Sequence, residues 1–216
     1  MPSELKPIKE QINKLKGDDI LPLICAAAAL RKEDYLRIFF QRAESIRLND
    51  TELYESLLQN YLFTGYPSAL IALKVFKEYF PKLKNIQNED WDLTRYLERG
   101  TKNCKRIYGT KFNKLISNVK EFSPELSEWL VLEGYGKVMG RKGLSFKKKE
   151  LNVISVLTVL KFEDQLYSHI NGAFRMKASK DQIERVINNL NIFRNNEMSN
   201  FGMNVLNRYL KEEGIG

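Results

Sequence analysis

The most restrictive feature of this sequence is that it repeats itself. Aligned without gaps at an offset of 130, residues 20–80 and 150–210 share Leu21/Leu151, Ile24/Ile154, Leu30/Leu160, Glu33/Glu163, Asp34/Asp164, Leu36/Leu166, Ala43/Ala173, Phe63/Phe193, Val75/Val205 and Tyr79/Tyr209. Scattered identities carry little weight alone, but the turn chemistry repeats as well. RKEDYL and KFEDQL fall at the same break between apolar runs, and the capping pairs Asn49 with Glu52 and Ser179 with Gln182 also stand 130 apart. Self-similarity over this length means one supersecondary unit used twice. Each copy reads as a helical hairpin followed by further helices. Residues 99–149 have no counterpart before the first copy, so the expected division is 1–98 for the first repeat and 99–216 for the second.

The unit that repeats is helical. Apolar residues recur at spacings of three and four, and strand-like alternation is rare. Stop signals fall at GDDILP, the Gly65-Tyr66-Pro67 corner, Pro81, Gly109, Ser123-Pro124 and Arg141 to Ser145. This pattern predicts an all-α chain of about nine or ten helices. Ser123-Pro124 supplies an N-cap and a first-turn proline together, and Ser145 is placed to cap the helix carrying KKKELNVISVLTVL.

Composition excludes several classes. No apolar run approaches the roughly 18 residues that cross a bilayer, and MPSELKPIKE is charged from its start, so the expectation is a cytoplasmic protein without a membrane partner. The two cysteines, Cys25 and Cys104, lie far apart and form no metal-spaced group. Neither a disulfide framework nor a zinc site is expected, and Cys25 in LPLICAAAAL reads as packing. The net charge of +8 is concentrated: between Arg99 and Glu150 there are 13 Lys or Arg against 5 Glu, a difference of +8. Nucleic acid is one reading of that segment, but its basic residues are scattered over several helices, with one cluster in GRKGLSFKKKE and no recognisable reading motif. Solvated faces and a local anion site are the preferred reading. Lys147 to Lys149 fit a solvated first turn, although cations at a helix N-terminus invite an anionic partner.

The segment SEWLVLEGYGKVMGRKGLSFKKKELNVISVLTVLKFEDQLYSHINGAF, followed by SKDQIERVI, resembles the carboxymuconolactone decarboxylase family, which includes the alkyl hydroperoxidase D-like proteins. In the first copy IRLNDTELYESLLQNYLFTGYPSALIAL is similar in part, its TGYPSALIAL resembling the family's aromatic-Gly-Phe-Pro-Ala-Ala turn. The resemblance implies a duplicated alkyl hydroperoxidase D-like helical domain, two repeats in one chain, assembling as a homotrimer that imitates the hexameric ring of single-repeat members. The family's peroxidase branch carries Glu, eleven residues, Cys, two residues, Cys, three residues, His. Laid from Glu150, the thiol positions fall on Phe162 and Gln165 and the last on His169. Thiol redox chemistry needs an attacking thiolate and a resolving sulfur, so this activity is not expected. The matching first-copy positions, Ile20, Lys32, Tyr35 and Phe39, carry no comparable chemistry, and an active site would belong to the second copy.

His169 is the only histidine. With a turn near Lys161, Glu150 and His169 lie at heights that differ by roughly 5 Å on two antiparallel helices rising about 1.5 Å per residue. Phe162, Gln165, Leu166, His169 and Ala173 share one helical face, turning the histidine inward. Glu150 would then hold the imidazole's orientation for general acid or base work, or the two would satisfy each other as packed polar residues. Tyr135 and Arg141 match the family's Tyr-Gly and Arg-Pro-Gly-Leu segment, with Lys142 in place of the proline. Arg141 has two readings, a bidentate ligand for a substrate carboxylate and a tie between a loop and its neighbours.

These readings combine into one expected function: cofactor-free, metal-free decarboxylation or proton transfer on a small anionic lactone or keto acid. His169 moves the proton, Glu150 sets its tautomer, and Arg141 and Tyr135 bind substrate. The alternative is a noncatalytic ring or binding protein that has lost the thiol pair.

Overall fold

Two helices that are apolar on every side must be buried, and they organise this molecule. In the computed structural model, which describes residues 6–83 and 89–215, helix α2 (Gly17–Ala29) packs along helix α9 (Phe146–Leu160). Every residue from Asp19 to Ala29 and from Lys149 to Val159 is buried. The first residues of the charged stretch MPSELKPIKE lie outside the described residues.

Around this pair the chain is helical throughout the described residues. Helix α1 (Lys6–Asn13) precedes α2, and α3 (Glu33–Ser45), α4 (Asp50–Gln59) and α5 (Tyr61–Tyr79) surround it. Then come α6 (Leu93–Tyr108), α7 (Phe112–Phe122), α8 (Pro124–Trp129) and a π-helical segment, Leu130–Val138. Helices α10 (Glu163–Arg175), α11 (Lys180–Asn189) and α12 (Asn196–Glu212) pack on α9. The all-α expectation is met, with twelve α-helices rather than nine or ten among the described residues. GDDILP is the start of α2 rather than a stop, because Pro22 falls in the second turn and removes only one ladder hydrogen bond.

The backbone recurs at the offset read from the sequence. Helices α3 and α10, and likewise α4 and α11, begin and end at positions 130 apart. The turn residues also recur: Arg31 (φ 56°) with Lys161 (φ 58°), and Arg47 (φ 52°) with Lys177 (φ 68°). Each follows a helix whose end is closed by a six-to-one hydrogen bond. Lys32 N donates to Ala27 O (2.9 Å) and Phe162 N to Leu157 O (3.1 Å), while Leu48 N donates to Ala43 O (2.8 Å) and Ala178 N to Ala173 O (2.9 Å). The expected caps form too. Asn49 accepts from Thr51 N and Glu52 N, Ser179 and Gln182 make a reciprocal capping box, and Ser123 and Ser145 cap α8 and α9.

Two apolar clusters result. One is built mainly from residues 8–76, and the other mainly from residues 104–210. Helix α9 feeds both, giving Val156 and Val159 to the first and Leu151, Val153, Ile154 and Leu157 to the second, and Phe63 packs against both. Helix α6 lies against the π-helical segment at backbone contact. A Cβ on Gly100 would overlap the Val131 carbonyl, and one on Gly136 the Tyr96 carbonyl. A π-helical turn displaces carbonyls from the usual ladder, and here α6 supplies donors: Asn103 Nδ2 to Tyr135 O (2.9 Å) and Arg99 Nε to Gly136 O (2.7 Å). No helix among the described residues is long and apolar enough to cross a membrane.

Candidate active site

The left-handed turn at Lys161 sends α10 back along α9 and brings His169 level with Glu150. The helices approach closely because Gly172 faces the carboxylate, where a Cβ would stand 2.7 Å from Glu150 Oε2. His169 Nδ1 and Glu150 Oε2 are 2.7 Å apart, and both residues are buried. Against an ionised carboxylate, which only accepts, Nδ1 is the donor, and Nε2 is then the ring nitrogen left for chemistry. Glu150 Oε1 is buried and has no hydrogen-bond partner among the described residues. The imidazole is therefore the carboxylate's one hydrogen-bonded neighbour there.

His169 lies in the wall of a pocket of about 570 Å³. Gln165, Ser168 and Asp164 of α10 flank it. Leu62 and Phe63 come from α5, Tyr108 from α6, and Tyr135 and Met139 from the π-helical segment and the turn that follows. Leu115, Val119 and Phe122 of α7 and Leu126 and Trp129 of α8 form the far wall. The Tyr108 and Tyr135 hydroxyls are 2.5 Å apart. Burial pushes both phenols above their usual pKa, and the nearby Glu150 charge adds to the rise, so both stay protonated at neutral pH. Among the described residues, none that line the pocket is Lys or Arg. The two charged ones, Glu133 and Asp164, are acidic. Among the described residues no three His, Cys, Asp or Glu side chains gather as a metal site would require.

The structure thus brings together three of the four expected site residues, His169, Glu150 and Tyr135. Arg141 is held elsewhere. Its guanidinium donates to the buried carboxylate of Glu55 on α4, Nε to Oε2 at 2.9 Å and Nη2 to Oε1 at 2.8 Å, and it does not line the pocket. Of its two readings, the tie between a loop and its neighbours is the contact observed.

The basic cluster behaves differently from a solvated turn. Lys149 is 1% exposed and donates Nζ to Met139 O (2.7 Å) and Arg141 O (2.6 Å). Desolvation lowers its pKa to about 8. Lys148 finds its anionic partners within the chain, at Asp18 (3.0 Å) and Glu52 (2.9 Å). Phe162 and Gln165, expected on the inward face, are both exposed, Phe162 (48%) at the N-cap of α10 and Gln165 in its first turn beside the pocket. Both cysteines are free and buried.

The positions 130 residues before Glu150 and His169 hold Ile20 and Phe39, both fully buried in hydrocarbon. Sequence reasoning did not find Tyr108. It lies at the end of the α6 stripe formed with Cys104 and Ile107, which reads as core spacing, and only the fold shows that its hydroxyl reaches Tyr135.

Fold and site together define an all-helical protein with one buried histidine–carboxylate pair at the wall of an apolar pocket. The chain is similar to the 4-carboxymuconolactone decarboxylase of Acinetobacter baylyi, a distant homologue 26% identical over 125 residues, which are 57% of this chain and 92% of that protein. No family model matches the chain.

Proposed function

We propose that this chain is a duplicated, carboxymuconolactone decarboxylase-like protein that catalyses cofactor-free proton transfer at carbon, with decarboxylation as its natural extension. The observation that carries the reading is the 2.7 Å contact between His169 Nδ1 and Glu150 Oε2 at the wall of the pocket. The distant decarboxylase homologue, matched over 92% of its own length by little more than half of this chain, supports both the reaction class and the duplication. A ring of three copies goes with the same reading.

Glu150 fixes the ring and stabilises the imidazolium when Nε2 takes a proton from carbon beside a carbonyl, the pair of the broken C–H bond moving onto the carbonyl oxygen. In the decarboxylating direction the pair of the C–C bond moves onto that oxygen as carbon dioxide leaves. In exchange the imidazolium returns its Nε2 proton to the carbon, whereas for decarboxylation the ring must first take that proton from solvent and then deliver it to the carbon. Arg141 is bound to Glu55 and does not line the pocket, so the reading does not use it as a carboxylate ligand.

A second reading, a noncatalytic binding protein, draws on Phe162 and Gln165 standing where thiols would be needed for peroxidase chemistry. One experiment separates the two: deuterium exchange into the α-carbons of a panel of ketones, keto acids and lactones, followed by NMR, for wild type and His169→Gln. Exchange by the wild type that is lost in the variant supports proton transfer. Equal rates in both proteins sink it.

A further inference from the structure

The pocket states its own preference for a ligand. We infer that it takes a predominantly apolar carbonyl compound, whose single oxygen sits at the Tyr108–Tyr135 hydroxyl pair and whose hydrocarbon part lies along the wall made by α7 and α8. The inference narrows the site proposed above to proton transfer at carbon, since a substrate without a carboxylate has no carbon dioxide to lose, and it rests on that reading for its reaction, but not for its binding.

Three observations carry it. The first is charge. Among the described residues the charged side chains lining the pocket are Glu133 and Asp164, and the nearby Lys137 is already paired with Glu133 (3.4 Å), so a substrate carboxylate would find no unpaired cation in the described wall to offset its desolvation.

The second is the wall. Leu115, Val119 and Phe122 recur at successive turns of α7, a helix with no buried residue of its own, and this stripe faces the pocket. Phe122 is 73% exposed and Trp129 is 55% exposed, so the stripe continues the cavity outward as an apolar rim. At about 570 Å³ the cavity falls within the roughly 300–1,000 Å³ of sites that enclose drug-sized molecules.

The third is a proton count. Each phenol has one O–H to donate. Between Tyr108 and Tyr135 one proton makes the 2.5 Å hydrogen bond, and the hydroxyl that accepts it keeps a proton of its own. No third group among the described residues takes that proton, and both tyrosines line the pocket. A ligand oxygen placed there completes the pair. If the ligand is a ketone, the same donor meets the negative charge that develops on the oxygen as the α-proton passes to His169.

The test uses binding, which needs no knowledge of the natural substrate. Full-length protein is titrated calorimetrically with 2-butanone, 2-hexanone, 2-octanone and 2-decanone, and with the keto acids pyruvate and levulinate. Affinity is expected to rise roughly fourfold per methylene, as about 0.8 kcal/mol for each buried CH₂ requires. The carbonyl stretch of bound ¹³C=O-labelled 2-octanone should be red-shifted from its value in hexane. In Tyr108→Phe/Tyr135→Phe that shift should vanish while the chain-length gain remains. His169→Gln should keep both the affinity and the shift, even though it loses deuterium exchange, so failure of the proton-transfer reading and failure of this one are told apart. Ketone affinity that does not grow with chain length, no ketone binding at all, or tighter binding of the keto acids overturns the inference.

Discussion

Phe63 meets the imidazole of His169 edge to face, with ring centroids 5.7 Å apart and planes at 80°. At the positions 130 residues away, Phe193 meets Phe39 in the same manner, at 6.2 Å and 86°. Each phenylalanine comes from the opposite half of the chain to the ring it touches, so the histidine of the second half is positioned by a side chain of the first. Where the first half could have held a matching site, Ile20 and Phe39 fill the space with hydrocarbon. The geometry of the pocket beside His169 therefore depends on contact between the halves.

Truncating that contact should loosen the site as well as the fold. Phe63 is half-buried and packs against both apolar clusters, so Phe63→Ala is expected to cost about 2 kcal/mol, below the range for a fully enclosed ring. Urea unfolding measures it. A loss under about 0.5 kcal/mol would mean the two halves do not lean on this ring.

The histidine–carboxylate pair makes a sharper prediction, because Glu150 is wholly buried and His169 is its one hydrogen-bonding partner among the described residues. His169→Ala leaves a buried carboxylate unpaired, at a cost of about 3 kcal/mol or more. Adding Glu150→Gln to that variant removes the charge and should restore most of the loss. The double-mutant cycle in denaturant should therefore show a coupling above about 1 kcal/mol, and additive effects would show that the pair is not held as observed.

Much of this was legible in the sequence, and the reasons are local. The 130-residue register showed because turns and caps are specified by a few residues each: Asn49 and Ser179 cap helices, and RKEDYL and KFEDQL mark the same left-handed corner. Glu150 and His169 could be paired because helical rise is fixed by geometry. What stayed hidden depends on distant parts of the chain. Arg141 is matched to Glu55, 86 residues away, and Lys149 is buried only because the turn after the π-helical segment folds over it with two carbonyls. Tyr108 reads as an ordinary apolar-face residue and Tyr135 as a substrate-binding one, but the short hydroxyl contact between them exists only once α6 crosses the π-helical segment.

That crossing tolerates no side chain. A Cβ at Gly136 would overlap the Tyr96 carbonyl, which is backbone and cannot rotate aside, so Gly136→Ala must separate α6 from the π-helical segment. The expected loss is about 3 kcal/mol or more, at the upper end of overpacking effects. Tyr135 lies one residue away, so ligand binding in the pocket should weaken with it. Gly134→Ala is the control, since its nearest contact would be at 4.0 Å, an ordinary van der Waals distance. Thermal unfolding of the two variants side by side decides the point: equal midpoints would contradict the close crossing.

Arg141 offers a direct contrast between its two readings. Bound to Glu55 it is a structural tie, so Arg141→Ala should destabilise the protein by about 3 kcal/mol by stranding a buried carboxylate. Arg141→Ala/Glu55→Gln should recover much of that loss. Neither variant should change the affinity of any ligand that binds beside His169. A ligand whose Kd rises tenfold or more in a folded Arg141→Ala protein would return the arginine to the binding site.

The buried lysine gives a stability profile whose sign can be worked out in advance. Desolvation lowers the pKa of Lys149 in the folded protein to about 8 from its ordinary value of 10.5. Between those values the unfolded chain holds more protons than the native one, and stability rises with pH wherever that is so. The cost of keeping the cation in its desolvated site is therefore fully present below about pH 8 and is relieved above it, by about 1 kcal/mol between pH 8 and pH 9. The buried thiols of Cys25 and Cys104 and the phenols of Tyr108 and Tyr135 act the other way. Their pKa values are raised by burial, so the stability they favour is present below their unfolded values of 9.0 and 10.0 and is lost as pH climbs past them. Urea midpoints should accordingly rise from pH 7.5 to about pH 9 and fall beyond it. Lys149→Met, similar in volume and uncharged, should abolish the rise and leave the fall, and a wild-type profile that is flat or descending from pH 7.5 would show that the ammonium is not desolvated in the folded protein.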